Sequence, residues 1–178
     1  MPCRHLPIAA AVIATVTASS CSDPKLVFRG YSDRSSCEDV INAELANGAE
    51  FEGAFDSDQI ERPGQIAELS GELFSEPVRI DVHCTRAGLV NDVRYVSPEW
   101  EPTATGPIFR AWAAELEAVL GPASERLTEN MRGLYFLCDE PSPIALEEWK
   151  LSELEGEEEN EVYLTVVPWD VECLDAQG

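Results

Sequence analysis

The clearest helical pattern in the chain lies between Pro107 and Leu120. At 100° per residue, its apolar side chains fall within a single arc of about 140°. These side chains are Ile108, Phe109, Trp112, Ala113, Leu116, Val119 and Leu120. Pro107 suits the first turn of a helix, and the following Gly121–Pro122 pair ends it. The pattern predicts an amphipathic helix that packs one face on a core.

A shorter helix is predicted from Ser36 to Asn47. Ser35 and Glu38 form a capping-box pattern at its start, and Gly48 is suited to its end. Its apolar stripe consists of Cys37, Val40, Ile41 and Leu45. The chain from 49 to 64 is acidic and is predicted to be irregular, and 98–106 is predicted to be a loop.

Alternation of apolar and polar residues predicts strands. Val78–Thr85 and Leu89–Val96 flank the tripeptide 86–88, whose glycine is placed for a hairpin turn. Further strands are predicted at 65–74, 132–138 and 161–167. Residues 144–154 have a helical composition, but their apolar residues scatter around a helical wheel, and alternation fits slightly better. We therefore predict a strand there as well.

The predicted elements run helix-β-β-β and then helix-β-β-β. Hairpins beside single amphipathic helices indicate an α+β domain, with one or more antiparallel sheets and both helices packed on one side. The domain spans 36–178. The repeated order also divides it into two halves, 36–98 and 107–178.

The N-terminus has the features of a signal peptide. Residues 7–18 carry no charge, and these twelve residues are too few for a membrane-spanning helix, which needs about 20. The segment Ala18-Ser19-Ser20-Cys21 resembles the lipobox of bacterial lipoproteins, in which small or aliphatic residues precede the cysteine that is acylated. The resemblance implies a cleaved signal peptide over 1–20, lipidation of Cys21 and a tether over 21–35.

The same resemblance implies an exported, lipid-anchored protein of the cell envelope that meets the membrane only through its N-terminal lipid. Ser22 after the cysteine implies the outer membrane in a bacterium that has one. Ordinary secretion, with cleavage after Ala18 or Ser20, is the alternative. It would give a soluble secreted or periplasmic protein.

The cysteine count agrees with export. Loss of Cys3 with the signal peptide and lipidation of Cys21 leave four cysteines, an even number that favours two disulfides. These are Cys37, Cys84, Cys138 and Cys173. No CxxC-type spacing occurs, and His83 is the only histidine outside the signal peptide, so a zinc site is not expected.

The faces that the cysteines occupy predict how they pair. Cys37 lies on the apolar stripe of the shorter helix, and alternation places Cys84 on the apolar face of its strand. Both side chains point to one core, which pairs Cys37 with Cys84. Cys138 and Cys173 remain as the second pair.

Charge excludes some classes of function. The 178 residues include 34 Asp and Glu against 12 Lys and Arg, a formal net charge of -22. A field of this sign repels nucleic acids and anionic lipid head groups. The 44% of hydrophobic residues are enough for a core. The acidity is spread along the chain, which favours adaptation to a saline setting over a dedicated surface for a basic partner or for cations.

Motifs of known chemistry are missing from the sequence. There is no G-x-S-x-G motif to supply a serine nucleophile beside His83 and no phosphate-binding glycine loop, so we assign no catalytic residue and no cofactor. Asp56, Asp58 and Glu61 are weak candidates for Ca²⁺ ligands, without the spacing of an EF-hand.

Trp100 and Trp169 lie in predicted loops and are candidates for a partner surface. The sequence therefore favours a non-enzymatic module that binds an unknown envelope protein. A small exported hydrolase that uses carboxylates, with Ca²⁺ assistance, is the alternative.

Overall fold

A computed structural model describes residues 15–16, 26–32, 35–57, 64–99, 102–137, 143–154 and 157–167. Its helices are α1 (Cys37–Ala46) and α2 (Pro102–Leu120). The first seven strands are β1 (Thr15–Val16), β2 (Leu26–Phe28), β3 (Tyr31–Ser32), β4 (Glu50–Ser57), β5 (Gly64–Leu73), β6 (Glu76–Thr85) and β7 (Val90–Val96). The last four are β8 (Ser124–Leu127), β9 (Met131–Phe136), β10 (Ile144–Leu154) and β11 (Glu157–Val166).

Eight strands form one antiparallel sheet in the order β4-β5-β6-β7-β11-β10-β9-β8. Each helix is followed by four strands in which successive strands are neighbours. The last strands of these two groups, β7 and β11, pair with each other, with Leu164 opposite Tyr95. The first strands, β4 and β8, therefore form the two outer edges. The strands β1, β2 and β3 form a separate small sheet.

Both helices lie on the same face of the large sheet. Helix α1 is joined to it by a disulfide between Cys37 and Cys84 in β6. Helix α2 contacts it where Thr105 donates a hydrogen bond to Glu148 of β10, at 3.0 Å. Glu148 lies opposite Val162 of β11, and Cys84 follows the same inward alternation as Val82. This arrangement confirms the α+β class with two helices on one side of an antiparallel sheet.

The core lies between this face and the helices. Strand β11 shows the expected period of two, because Val162, Leu164 and Val166 are all fully buried. Helix α2 contributes Phe109, Trp112 and Leu116. The core also contains the inward side chains of β5, β6 and β7, among them Leu69, Leu73, Ile80, Val82, Val93 and Tyr95.

The structure differs from the predicted elements in several places. Strand β4 lies in the segment predicted to be irregular, and β8 is a strand that the sequence pattern does not predict. Both are outer strands with exposed residues, so they lack the apolar alternation that marks an inner strand. Helix α2 begins at Pro102 rather than at Pro107. The capping box of α1 is formed one residue later than predicted, by Ser36 and Asp39.

Residues 26–32 belong to the fold, although the sequence predicts a tether as far as 35. Phe28 and Tyr31 are each only 1% exposed and contact the core of the domain. Their rings are 5.9 Å apart in an edge-to-face arrangement, and Phe28 meets Tyr95 of β7 in the same way. The folded domain therefore begins before residue 36.

A buried polar network fixes this N-terminal segment to α1 and β7. Arg29 forms an ion pair with Glu44, with 3.0 Å between Nη2 and Oε2, and the Glu44 side chain is fully buried. The hydroxyl group of Tyr95 donates a hydrogen bond to the same carboxylate. The hydroxyl groups of Tyr31 and Tyr95 are 2.9 Å apart. Burial of these groups is compatible with stability because each of them has a partner.

Candidate functional site

The predicted disulfide between Cys37 and Cys84 is present in the structure. It joins the first residue of α1 to the end of β6, with the two Cα atoms 5.9 Å apart. Both cysteines reach this position because the helical stripe and the strand alternation point to the same core, as the sequence predicts.

Several predicted site residues lie outside the described part of the chain. They are Cys21, Cys138, Cys173, Asp58, Glu61, Trp100 and Trp169. Of the three weak Ca²⁺ candidates, only Asp56 is described, and it is exposed on β4. Within the described ranges, no group of three His, Cys, Asp or Glu side chains is arranged to hold a metal ion.

His83 takes part in a polar cluster on the sheet face opposite the helices. Its Nδ1 atom is 3.2 Å from Oδ1 of Asp92, which also accepts a hydrogen bond from Nε of Arg94 at 3.1 Å. Asp81, the carboxylate that shares a strand face with His83, instead accepts a hydrogen bond from Nε of Arg79. Asp92 lies opposite His83 on the neighbouring strand, so this cross-strand contact accounts for the position of His83.

A second polar cluster on that face surrounds Glu147. The Tyr135 hydroxyl donates to its Oε1 at 3.0 Å, and the Trp149 indole donates to its Oε2 at 3.2 Å. Burial raises the pKa of Tyr163, and the neighbouring Glu147 charge and hydrogen bond raise it further. The three aromatic side chains satisfy this carboxylate within the sheet.

Among the described residues of the long strands, the most exposed large apolar side chains are on β4. Phe51 is 52% exposed and Phe55 is 50% exposed. They lie on opposite faces of the sheet, because Phe51 is paired with Leu69 and Phe55 with Ile66, and a bulge lies between Phe51 and Gly53. Strand β4 pairs with β5 along one side, and it is the end strand in the order of the sheet.

An open cavity of about 830 Å³ lies beside β4, on the helix side of the sheet. We call it the edge cavity. Its apolar lining comes from Ile41, Phe51, Ala54, Ala67 and the two disulfide-bonded cysteines. Its polar lining comes from Ser36, Glu38, Asp56, Gln65, Thr85 and Arg86, together with Gly64 and Gly88.

The edge cavity lies where the small side chains of Ala54 and Ala67 occupy paired inward positions of β4 and β5. Ala54 is paired with Ala67, and Gly64 lies at the start of β5. At Gly64 a Cβ atom would lie 1.8 Å from the carbonyl oxygen of Cys84, so the close approach of β5 to β6 requires glycine. Helix α1 is held against β6 by the disulfide, and among the described residues no large side chain fills the space next to β4.

The exposed surface of β4 is acidic. Glu50, Glu52 and Asp56 are all exposed on this strand, and Glu52 accepts a hydrogen bond from Ser70 at 2.6 Å. The opposite edge of the sheet is different. Strand β8 has four residues against eight in β4, and it carries one large exposed apolar side chain, Leu127.

Strand β4 is the candidate site in the described part of the chain. The prediction of a partner surface at exposed tryptophans does not identify it. Its two phenylalanines are four residues apart, a spacing that places both on one face of a regular strand. The bulge reverses this relation. The available signal is the combination of two large apolar residues with acids in a segment that has no helical period.

Comparison of the chain with protein-family models, with curated proteins and with solved structures found no match. Among the described helices, none is long and apolar enough to cross a membrane. The geometry of the chain itself is therefore the basis for a functional proposal.

Proposed function

We propose that this domain is a non-enzymatic protein-binding module that accepts an extended segment of a partner protein as an additional strand on β4. The observation that supports the proposal is an eight-residue outer strand with two half-exposed phenylalanines, one on each face of the sheet. An outer strand presents unpaired backbone N–H and C=O groups to an incoming chain.

The two phenylalanines would add apolar contacts to these backbone hydrogen bonds. An added strand places its side chains alternately above and below the sheet. One set would cover Phe51 on the helix side, and the other would cover Phe55 on the opposite side. Burial of apolar surface contributes about 25 cal/mol per Å² to the free energy of binding. Because one phenylalanine lies on each face, a partner with apolar residues on both of its faces would be favoured.

Charge favours a basic partner over a second copy of this chain. Antiparallel pairing of two β4 strands would bring the carboxylates of Glu50, Glu52 and Asp56 near the carboxylates of the second copy. Like charges on adjacent strands destabilise a sheet. The net charge of -22 adds long-range repulsion between copies. A segment with Lys or Arg at its outward positions would instead be attracted to this edge.

The lipobox resemblance supports the location that we propose for this binding. A chain lipidated at Cys21 would be held at the cell envelope, where its partner would be another exported protein.

The test is site-specific photo-crosslinking in the cells that produce the protein. A benzophenone amino acid replaces Phe55 of β4 in the full chain, and in a matched control it replaces Leu127 of β8. We expect a discrete heterologous adduct from position 55 and none from position 127. The captured segment should be basic and extended.

Charge reversal provides the decisive comparison. Glu50→Lys together with Asp56→Lys should abolish the adduct at position 55, because the reversed charges repel a basic partner. Both residues are exposed, so the variant should keep its fold. Strand addition by a basic partner is refuted if the adduct persists in this variant, if it forms equally at position 127, or if the captured protein is a second copy of the chain. Absence of any adduct also refutes it.

A further inference from the structure

We infer that the edge cavity is an anchor pocket for apolar side chains at alternate positions of the bound partner segment. This inference rests on the proposed strand addition and names the feature that would select one segment over another. In complexes of this kind, the backbone supplies affinity, and pockets for alternate side chains supply specificity.

The position of the edge cavity fits this role. Phe51, Ala54 and Asp56 line it from β4, and they lie on the helix side because they are paired with inward residues of β5. A strand added to β4 would direct every second side chain to the same side. These side chains would therefore lie next to the mouth of the edge cavity.

The size of the edge cavity fits more than one side chain. Its volume of about 830 Å³ lies in the upper part of the range for ligand pockets, roughly 300–1,000 Å³. Alternate residues of a strand are about 6.8 Å apart, so two neighbouring inward side chains could enter together. The small side chains of Ala54 and Ala67 leave this space free.

The lining sets the chemistry of the segment. The apolar walls of Ile41, Phe51 and the disulfide favour leucine-like or aromatic side chains. The lining carries the two carboxylates of Glu38 and Asp56 against the single guanidinium group of Arg86, so its charged side chains favour Lys or Arg in the flanking positions. The preferred ligand is therefore an extended segment with alternate apolar residues and basic neighbours.

Small probes can test the pocket without the partner. N-acetyl-leucinamide and N-acetyl-tryptophanamide are titrated into the full, disulfide-bonded chain, with N-acetyl-glycinamide as the probe that lacks a side chain. The methyl signals of Ala54 and Ala67 are followed by NMR. We expect saturable shifts with the first two probes and none with the third.

A variant that fills the pocket supplies the control. Ala54→Trp introduces a large side chain at an exposed position of the lining, and we expect it to weaken binding of both probes at least tenfold. Leu127→Trp introduces the same residue on the opposite edge and should leave binding unchanged. The thermal melting of each variant shows that it is folded, and Ala54→Leu serves as a smaller filler if the tryptophan disturbs the strand.

The pocket is refuted if neither probe shifts the two methyl signals, or if the shifts persist unchanged in the folded filler variant. This outcome is distinct from failure of the proposed function. Probe binding without a crosslink at position 55 would retain the pocket and reject strand addition. A charge-dependent crosslink without probe binding would do the reverse.

Discussion

Removal of Glu44 tests whether the buried network holds the N-terminal segment to the domain. In Glu44→Leu, the guanidinium group of Arg29, whose side chain is 8% exposed, loses its partner carboxylate. Tyr95 keeps its contact with the Tyr31 hydroxyl but also loses an acceptor. An unpaired buried charge costs about 3–5 kcal/mol when its partner is removed, so we expect a loss of this size in the free energy of unfolding.

The magnitude should depend on whether both partners are replaced. Arg29→Met alone leaves the Glu44 carboxylate buried without its cation and should also cost about 3–5 kcal/mol. The double variant replaces both charges with apolar side chains, and replacing a buried ion pair in this way is often neutral or stabilising. We therefore expect the double variant to be more stable than either single variant.

Urea unfolding of the disulfide-bonded chain measures all four members of this double-mutant cycle. The slope of the free energy of unfolding against urea concentration should be similar in all of them, so that differences in midpoint report stability. The reasoning is refuted if the losses of the two single variants add in the double variant, because additive losses indicate sites that do not interact.

Three further predictions concern stability. Burial raises the pKa of both Tyr31 and Tyr95 well above the ordinary value of about 10. The contribution of these two hydroxyl groups to the free energy of unfolding is complete below pH 10 and is lost as pH rises further. In unfolding curves measured at alkaline pH, Tyr31→Phe should reduce this pH-dependent loss of stability by up to about 1.4 kcal/mol per pH unit. Gly64→Ala would place a Cβ atom 1.8 Å from the Cys84 carbonyl oxygen and should cost about 3 kcal/mol, whereas Gly53→Ala has no atom within 4 Å and should be nearly neutral in the same urea assay. Replacement of both cysteines of the α1–β6 disulfide by alanine, across a sequence separation of 47, should cost about 4 kcal/mol by differential scanning calorimetry, and an unchanged melting temperature would contradict this.

The parts of the fold that follow from local period could be predicted from the sequence. Strand β11 alternates, and α2 has a single apolar arc, so each has one inward face. The disulfide follows from two such faces pointing to one core. The predicted strand over 144–154 is also confirmed as β10, although the composition of this segment favours a helix. Its alternation of apolar and polar residues is that of a strand lying between two others, here β9 and β11.

The parts that depend on distant partners could not be predicted in this way. Arg29 and Glu44 are charged residues, a type that usually lies at the protein surface. Only their contact in the folded chain explains their burial. Strand β4 lacks an apolar period because it is the end strand of the sheet and most of its side chains are exposed. The edge cavity arises from small residues at Ala54 and Ala67, and missing volume leaves no motif in a sequence.

The pairing of β7 with β11 has a consequence for the order of folding. Val93 and Val166 are opposite each other although Val93 belongs to the first group of four strands and Val166 to the second. If the chain is exported from its N-terminus, the first four strands of the sheet emerge with β7 as an open edge that carries Val93 and Tyr95. That edge stays open until the last strand has crossed the membrane, and an open apolar edge promotes aggregation. In that case, export would depend on a periplasmic or extracellular chaperone until translocation of β11 is complete.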